Sequence, residues 1–600
     1  MRKLYTLLLL VLSALLPMVA EAAPVTVQQA REKAVEFFMT GSNSRAVPTL
    51  ELAWSDRSLS RGSEEAALYI FNRTDRPGFV MMAGDDVAAP VLGYSFEHAA
   101  GDLDEMPAHI RYYLDGLSEQ IEALRASGAA TNAAWAGELK AGTPVRELPT
   151  ALWDQGEPFN RECPVMSNGN RTVTGCVQTA AAIMIKYNRW PDSFTSEVTV
   201  PGYRTAELGL DVPGRTLRSY DFDKMPDTYY QGQYTDEQAA EVARLMADLG
   251  VMDRADYGPE TGAHYSRLEW ALGEYMRYSK QASYVTRAGY SDDEWAALIK
   301  KEIDANRPLL YDGQGQQGGH AFVLDGYDTE NYFRFNWGWG GQLNGYFVVK
   351  NLTPGNFNFS SDQGAIINLI PDKQGTTVHN NNLLLGKATL NNGKTVNGLE
   401  VDVTTITPNT PFNAQMLCWN ASETMYSGKL AVVVASKERE VKEVVSAEIP
   451  MQLSGSSYSS DGMSYAGYYA EFTGCTIKQP LFPGARLRVA YWNSGTNSWD
   501  LMGAYNDGVP YQIQLMPDEL TPESVAEVTK ISYNRTTKKL SVFAPADIQV
   551  SLLDSSSKSL GGGMSSGEPV VIDLQSAAKG SYLLVLTLES GKTHTTKLIF

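Results

Sequence analysis

Apolar and polar positions follow two periods along this chain, and the switch from one to the other divides it. Near the start, Val27, Ala30, Ala34 and Phe38 recur at helical spacing. Thr26 with Gln29 forms a capping box that opens this helix. The stretch "AALYIFNRTDRPGFVMMAGDD" alternates as a hairpin turned at Asp75–Gly78, and "PVLGYSF" reads as a further strand. Helical spacing returns at Ile110, Leu114, Leu117, Ile121 and Leu124. An Ala- and Gly-rich stretch from Ser127 to Gly142 then reads as a linker.

A second block runs from about Leu148 to Asp372. It predicts one helix after Cys176 and a second capped by Thr235 and Gln238. That second helix carries Val242, Leu245, Met246 and Leu249 and stops at Gly250. A third is capped by Ser291 and Glu294 and carries Trp295, Leu298 and Ile299. Strands follow in "PLLYDG", "HAFVLDGY", "YFRFNW" and "GYFVV". Helices first and strands later predict an α+β domain with two packed halves. Beyond Lys373 the helical period fades into short alternating runs such as "GKLAVVVAS" and "ARLRVAYW", separated by Gly, Ser, Asn and Pro. This region predicts β-sandwich-like domains, the last beginning near Glu523.

Length and charge narrow the function. Six hundred residues predict about three or four domains. A net charge of −19 argues against a nucleic-acid-binding surface, because phosphates would be repelled, so no nucleic-acid partner is expected. The first residues, "MRKLYTLLLLVLSALLPMVAEAA", combine Arg2 and Lys3, an apolar run and an A-x-A site. They predict a secretory signal cut after Ala22, hence a secreted or cell-surface protein. No later segment has ~18 consecutive apolar residues, so no other membrane span is expected. Four cysteines are too few to staple a chain of this length, although Cys418 and Cys475 are candidates for one bridge. No Cys/His cluster has zinc-site spacing, so neither metal nor cofactor is expected.

Cys176 sits in "TGCVQTAAAIMIKYNRWP", where Gly175 permits a sharp turn into the helix. A thiol at a helix N-terminus meets free N–H groups and the positive end of the dipole, which predicts a lowered pKa. A packed, inert cysteine is the alternative. A nucleophile needs a base, and the chain has six histidines. His98, His109, His379 and His594 lie outside the α+β block, and His264 lies in the loop "PETGAHYS". His320 follows Gly318 and Gly319 at the start of a strand, where a substrate backbone could approach. A turn at Asp328–Asn331 folds the next strand back, so Asn336–Trp339 lies roughly opposite His320. Asn336, sixteen residues from His320, is a candidate orienter of the imidazole, with a tryptophan excluding water. Asp325 is a weaker candidate, because strand alternation sends it to the other face. Gln155, twenty-one residues before Cys176, could complete an oxyanion hole with the Cys176 N–H. Cys163 competes as nucleophile but lacks a following apolar helix.

The motifs "TGCVQTAAAIMIKYNRWP", "GGHAFVLDGYD" and "FNWGWGG", in that order, resemble the streptopain family of papain-like cysteine peptidases. "ADYGPETGA" resembles that family's substrate-cleft loop, and "GFVMMAGDDVAAPVLGYS" its propeptide. The resemblance implies a two-lobed papain-like catalytic domain, preceded by an α/β propeptide and followed by β-sandwich-like domains. The implied boundaries are a signal at 1–22, an inhibitory propeptide at 23–145, a peptidase domain at 146–372 and β domains at 373–520 and 521–600. By motif, Cys176 is the nucleophile, His320 the general base and acid, and Gln155 the oxyanion glutamine. The third element is Asn336 or Trp337, and Ala263, Gly318, Gly319 and Trp339 would hold substrate. The implied partners are protein or peptide substrates and the chain's own propeptide. The ending "GSYLLVLTLESGKTHTTKLIF" resembles type IX secretion sorting domains and implies that export machinery as a further partner. Two other functions use the same residues differently: a non-enzymatic surface adhesin on a papain-like scaffold, and a transglutaminase-like acyltransferase.

Overall fold

A computed structural model describes residues 22–41, 46–56, 66–349 and 363–600, apart from positions 105, 107, 195, 264, 316–317, 376, 378, 460–461, 507, 546 and 567–568. The expected signal therefore lies outside the described residues, save Ala22. The chain divides into two units, Met1–His379 and Asn380–Phe600.

The first unit is built from six helices of useful length among the described residues: α1 (Val27–Thr40), α2 (Ala108–Ala126), α3 (Cys176–Asn188), α4 (Asp236–Asp253), α5 (Tyr265–Tyr275) and α6 (Asp292–Asp304). All three expected capping boxes form, at Thr26/Gln29, Thr235/Gln238 and Ser291/Glu294. Each satisfies N–H groups that a helix start leaves without partners. Helix α4 does not stop at Gly250; it runs on to Asp253 and closes at Arg254 in the left-handed conformation. Gly250 has a packing role instead, since a Cβ there would lie 1.8 Å from the Tyr257 hydroxyl. Helix α5 was not foreseen, although Tyr265, Leu268, Ala271 and Leu272 are buried at helical spacing.

The strands of its main sheet are β1 (Leu50–Ser55), β2 (Leu68–Arg73), β3 (Phe79–Ala83), β4 (Val91–Ser95), β5 (Pro144–Glu147), β6 (Ser283–Thr286), β7 (Leu309–Gly315), β8 (Gly318–Asp328), β9 (Phe333–Asn336), β10 (Gly345–Phe347) and β11 (Gly364–Ile367). They form one 11-stranded sheet in the order β1-β2-β3-β4-β10-β9-β8-β7-β11-β6, with β5 on β8. The N-terminal region is thus part of the same sheet as the α+β block. The join is antiparallel, with Tyr94 opposite Tyr346 and Gly93 opposite Phe347.

Alternation along β8 assigns a core to each face. Ala321 and Val323 enter a cluster with Ala180, Ile183 and Ile185 of α3 and Leu245 and Leu249 of α4. Phe322 and Leu324 enter a second cluster with Ile110, Leu114 and Leu117 of α2 and Trp295 and Ile299 of α6. A third core packs Ala34, Phe37 and Phe38 of α1 on Tyr69, Phe71, Val80 and Tyr94. The expected linker is pinned to the N-terminal region. Asn132 N–H donates to Asp86 O at 2.7 Å, Trp135 Nε1 donates to Ala88 O at 2.8 Å, and Leu139 is buried in the α1 core. Its small residues allow close packing here rather than free movement.

The second unit is strand-rich, as expected. One sheet joins Leu399–Val401, Phe412–Asn420, Leu383–Leu385, Gly503–Ala504 and Ala466–Cys475, and another centres on Tyr426–Ala435 and Arg486–Asn493. Cys418 and Cys475 are free and buried. Cys418 faces Tyr468, seven residues along the strand from Cys475. At ~3.3 Å per residue that is over 20 Å, far beyond disulfide reach. A last pair of sheets encloses Leu540, Val542, Val550, Leu552, Leu584 and Leu586.

The sheet join generates a test. A Cβ on Gly93 would lie 2.4 Å from Phe347 Cδ1 and 3.1 Å from the Tyr346 carbonyl oxygen. Gly93→Val is therefore expected to destabilise the first unit by about 1–3 kcal/mol. Urea unfolding in a Cys176→Ala background measures this, and an unchanged midpoint would show that the join yields without cost.

Candidate active site

Gly175 caps α3 with φ at 96°, a conformation open to glycine. A Cβ there would meet Gln178 Oε1 at 2.5 Å and Thr261 Cγ2 at 3.0 Å. Cys176 is the first helical residue, so its side chain leaves from the end where N–H groups point outward. Helix α3 is anchored by its buried apolar face and by Gln178 Nε2, which donates to Asp253 Oδ2 at 2.9 Å. The loop "ADYGPETGA" is bolted beside it: Thr261 Oγ1 donates to Val173 O at 2.8 Å and Val173 N–H to Gly258 O at 3.3 Å.

Strand β8 passes the start of α3. The N–H groups of Ala321, the residue after His320, and of Val177 and Cys176 lie near the Cys176 sulfur and favour its thiolate. His320 is half-buried and sits across from Gly313 of β7. Gly318 and Gly319 are paired with Gly315 and Gln314 at the end of that hairpin. Asp312 lies opposite Ala321, and both its carboxylate oxygens accept from Tyr284 Oη at 3.1 Å.

The thiol departs from the sequence expectation. Its pKa is raised, not lowered: burial is the largest cause, and the Asp312 charge adds to it. The N–H groups at the helix start do favour thiolate, as expected, but they are outweighed. The other three thiols are further from reactivity. Burial pushes Cys163 and Cys418 up to about 12 and Cys475 up to about 11. Cys163 is 2 % exposed and hydrogen-bonded to Tyr257, which suits a packing role.

Gln155 is held near the same helix start. Its carbonyl accepts from Thr174 N–H at 3.1 Å, two residues ahead of Cys176. Asp154 Oδ1 accepts from the Gln155 N–H at 2.5 Å and fixes this loop. Asn336 is buried opposite Val323 of β8, three residues from His320. Its Nδ2 donates to Thr150 Oγ1 at 3.0 Å and to Ala151 O at 2.9 Å, and its Oδ1 accepts from Gly338 N–H at 3.2 Å. The Trp337 ring is buried against Phe322 at 4.8 Å and against Tyr113 of α2 at 5.1 Å. Trp339 is 8 % exposed. Ala263 is half-buried against the α3 core, beside a loop closed by paired bonds between Asp256 and Gly262. His264 and the side chains of Gln314 to Gly319 lie outside the described residues. Among the described residues no group of His, Cys, Asp or Glu is arranged to hold a metal ion.

Residues 153–347 match the peptidase C10 family, and residues 22–121 match the Spi protease inhibitor. Streptopain of Streptococcus pyogenes is 31% identical over 331 residues, covering 51% of this chain and 81% of streptopain. This chain belongs to the peptidase C10 family. The thiol protease/hemagglutinin PrtT of Porphyromonas gingivalis is 32% identical over 392 residues, covering 61% of this chain but only 44% of PrtT. Among solved structures, a prointerpain A fragment of Prevotella intermedia is similar at 27% identity and a TM-score of 0.43, covering 55% of this chain and 99% of the fragment.

C10 peptidases are cysteine endopeptidases, and the inhibitor-like match coincides with the N-terminal region that shares the C10 sheet. Three polar residues beside the candidate site escaped the sequence reading: Thr150, Asp154 and Asp312. Asp154 left a signal, since Asp before Gln-Gly marks an Asx turn. Asp312 and Thr150 left none, because their neighbours are distant in sequence.

The raised thiol pKa generates a prediction. In the full-length His320→Ala chain, iodoacetamide should modify Cys176 slowly at neutral pH and faster only above the ordinary thiol range. Adding Asp312→Asn should move that rise to lower pH, because a nearby negative charge opposes thiolate. Mass spectrometry of the alkylated peptide reads both. A rise below the ordinary thiol range in the intact chain would contradict the burial argument.

Proposed function

We propose that the chain is a secreted cysteine endopeptidase made as a zymogen, with Cys176 as nucleophile and His320 as general base and acid. The observation that carries this reading is the Cys176 sulfur at the start of α3, beside the N–H of Ala321, the residue after His320. His320 takes the thiol proton, and the thiolate attacks the scissile carbonyl to form a tetrahedral intermediate. The Cys176 N–H and the Gln155 side chain stabilise the oxyanion, each donor contributing about 3 kcal/mol. Protonated His320 gives its proton to the leaving amine, and water then hydrolyses the thioester. Asn336 orients His320, Trp337 backs that arrangement, and Ala263, Gly318, Gly319 and Trp339 border the substrate backbone.

The substrates are proteins or peptides, and residues 23–145 act as the inhibitory partner. Support for latency comes from the shared sheet and from Tyr113 of α2 packed on Trp337. Export begins with a signal cut after Ala22, supported by Arg2, Lys3 and the apolar run that follows. The last sheets, from about residue 521, serve as a sorting domain for type IX secretion machinery. Deleting them should then leave the protein inside the cell, and unchanged export would remove this role.

The central test is Cys176→Ala in the full chain. It should abolish cleavage of protein substrates and self-maturation while the circular dichroism spectrum and Tm stay close to wild type. A thiol-directed epoxide should label wild type at Cys176 alone after maturation. Undiminished cleavage by Cys176→Ala would sink the assignment.

A further inference from the structure

Tyr94 of the N-terminal region meets the peptidase half of the sheet twice. On β4 its backbone stands opposite Tyr346 of β10. Its side chain reaches the end of β8, where Tyr94 Oη donates to Asp328 Oδ2 at 2.5 Å. The other oxygen of Asp328 serves the peptidase half's own turn: Oδ1 accepts from the N–H of Glu330 at 2.9 Å and of Tyr332 at 2.8 Å. Asp328 is 0 % exposed. Gly142 closes one side of it, since a Cβ there would lie 2.1 Å from Oδ2. Two rings wall the pair: Tyr346 stacks on Tyr94 at 5.4 Å, and Tyr332 meets Tyr94 edge-on at 5.5 Å. Tyr332 Oη in turn donates back across the joint to Val91 O at 2.8 Å.

The polarity of this pair is fixed. Burial and the Asp328 charge both raise the Tyr94 pKa, so the hydroxyl keeps its hydrogen and donates it. Burial also raises the Asp328 pKa, and the Tyr94 bond opposes that rise. A hydroxyl bonded to a carboxylate makes a stronger bond than two neutral groups do. Losing the donor leaves a buried oxygen bare, at the full desolvation cost of that group. Asp328 has no exposed surface while the N-terminal strands are docked, so the bond must break before water can replace it. Undocking therefore passes through a state with an unpartnered carboxylate oxygen, and that state raises the barrier. Cutting the chain within the Ser127–Gly142 stretch leaves the Tyr94–Asp328 bond untouched, because neither residue lies there.

We propose that the Tyr94–Asp328 bond is a latch that keeps the N-terminal region docked after the linker is cut, so that maturation is limited by release and not by cleavage. The inference rests on residues 23–145 being the inhibitory region of a peptidase. Asp328 stays with the mature enzyme, where Oδ1 goes on holding the 328–332 turn. Tyr94 leaves with the released region. A substitution at Tyr94 therefore changes the precursor alone, and the mature enzyme is the same molecule whatever residue stood at that position.

The test has two arms. In the first, the full Cys176→Ala chain carries an added cleavage site for a site-specific protease after Lys140, which is exposed. Size-exclusion chromatography then follows the fraction of N-terminal fragment still bound at intervals after the cut. Tyr94→Phe should release the fragment roughly tenfold to a hundredfold faster, the scale of a lost bond to a buried charge. Tyr69→Phe is the control, because Tyr69 Oη donates to Val25 O at 3.0 Å within the N-terminal region and not across the joint. It should lower Tm and leave the release rate unchanged. Asp328→Asn keeps an oxygen for the turn and removes the charge; it should also speed release, and it replaces Tyr94→Phe if that chain does not fold. In the second arm the chains with Cys176 intact mature by themselves. Wild type should show a lag between chain cleavage on a gel and the rise of peptidase activity. Tyr94→Phe should shorten that lag and end at the same kcat and KM. Release from Tyr94→Phe as slow as from wild type would overturn the latch. So would equal acceleration by Tyr69→Phe, or wild-type activity rising in step with cleavage. If no chain matures, the peptidase reading fails, and the first arm still decides the latch.

Discussion

The two-faced packing of strand β8 is the constraint on which the first unit depends. One face must accept α3 and α4 through the small and branched residues Ala321 and Val323. The other must accept α2 and α6 through the larger Phe322 and Leu324. A slip of one residue would exchange these faces and expose both cores to mismatched partners. Register is therefore fixed tightly, and with it the position of His320 at the strand's start and of Ala321 N–H against the Cys176 sulfur. The geometry of the candidate site is a by-product of core packing: the same alternation that separates two cores brings the Ala321 N–H to the helix start.

The N-terminal region exploits that sheet rather than blocking a finished one. Its strands extend the sheet through β4 on β10, and α2 supplies a large part of the core under Phe322 and Trp337. Tyr113 alone touches Phe335, Trp337 and Phe347. Fully burying a side chain of that kind contributes about 2–3 kcal/mol. An inhibitor held in this way covers apolar surface beside the site and also seals the backbone edge of β10. Its hold therefore draws on the hydrophobic effect and on ladder hydrogen bonds together, and severing the linker by itself removes neither.

Much of this was legible in the sequence because it is local. The capping boxes at Thr26, Thr235 and Ser291, the hairpin at Asp75–Gly78 and the turn at Asp328–Asn331 each follow from residues within a few positions. Cys176 and His320 were legible as chemistry, since a helix-start thiol and a glycine-flanked strand histidine are unusual locally. What was missed is long-range. Thr150 meets Asn336 across 186 residues, and Gly250 is explained by Tyr257 packing rather than by a helix stop. The Ser127–Gly142 stretch reads as a free linker by composition, yet Leu139 is buried in a core built by α1. Alternation sent Asp325 away from His320, and its partners are Thr150 and Arg334; only the bulge at that residue could not be read from its neighbours in sequence.

The direction of the Cys176 pKa gives that distinction its functional edge. The helix start does what the sequence implies, donating N–H groups that favour thiolate. Burial and Asp312 are stronger, so the balance at the Cys176 thiol is toward a raised pKa. Two of the three influences are fixed by the fold: α3 cannot move without disturbing Gln178 and Asp253, and Asp312 is held by Tyr284. Burial comes from the core that Cys176 packs against at the start of α3. Water reaching the sulfur would weaken the desolvation penalty and screen Asp312 at once, while the N–H groups would stay in place.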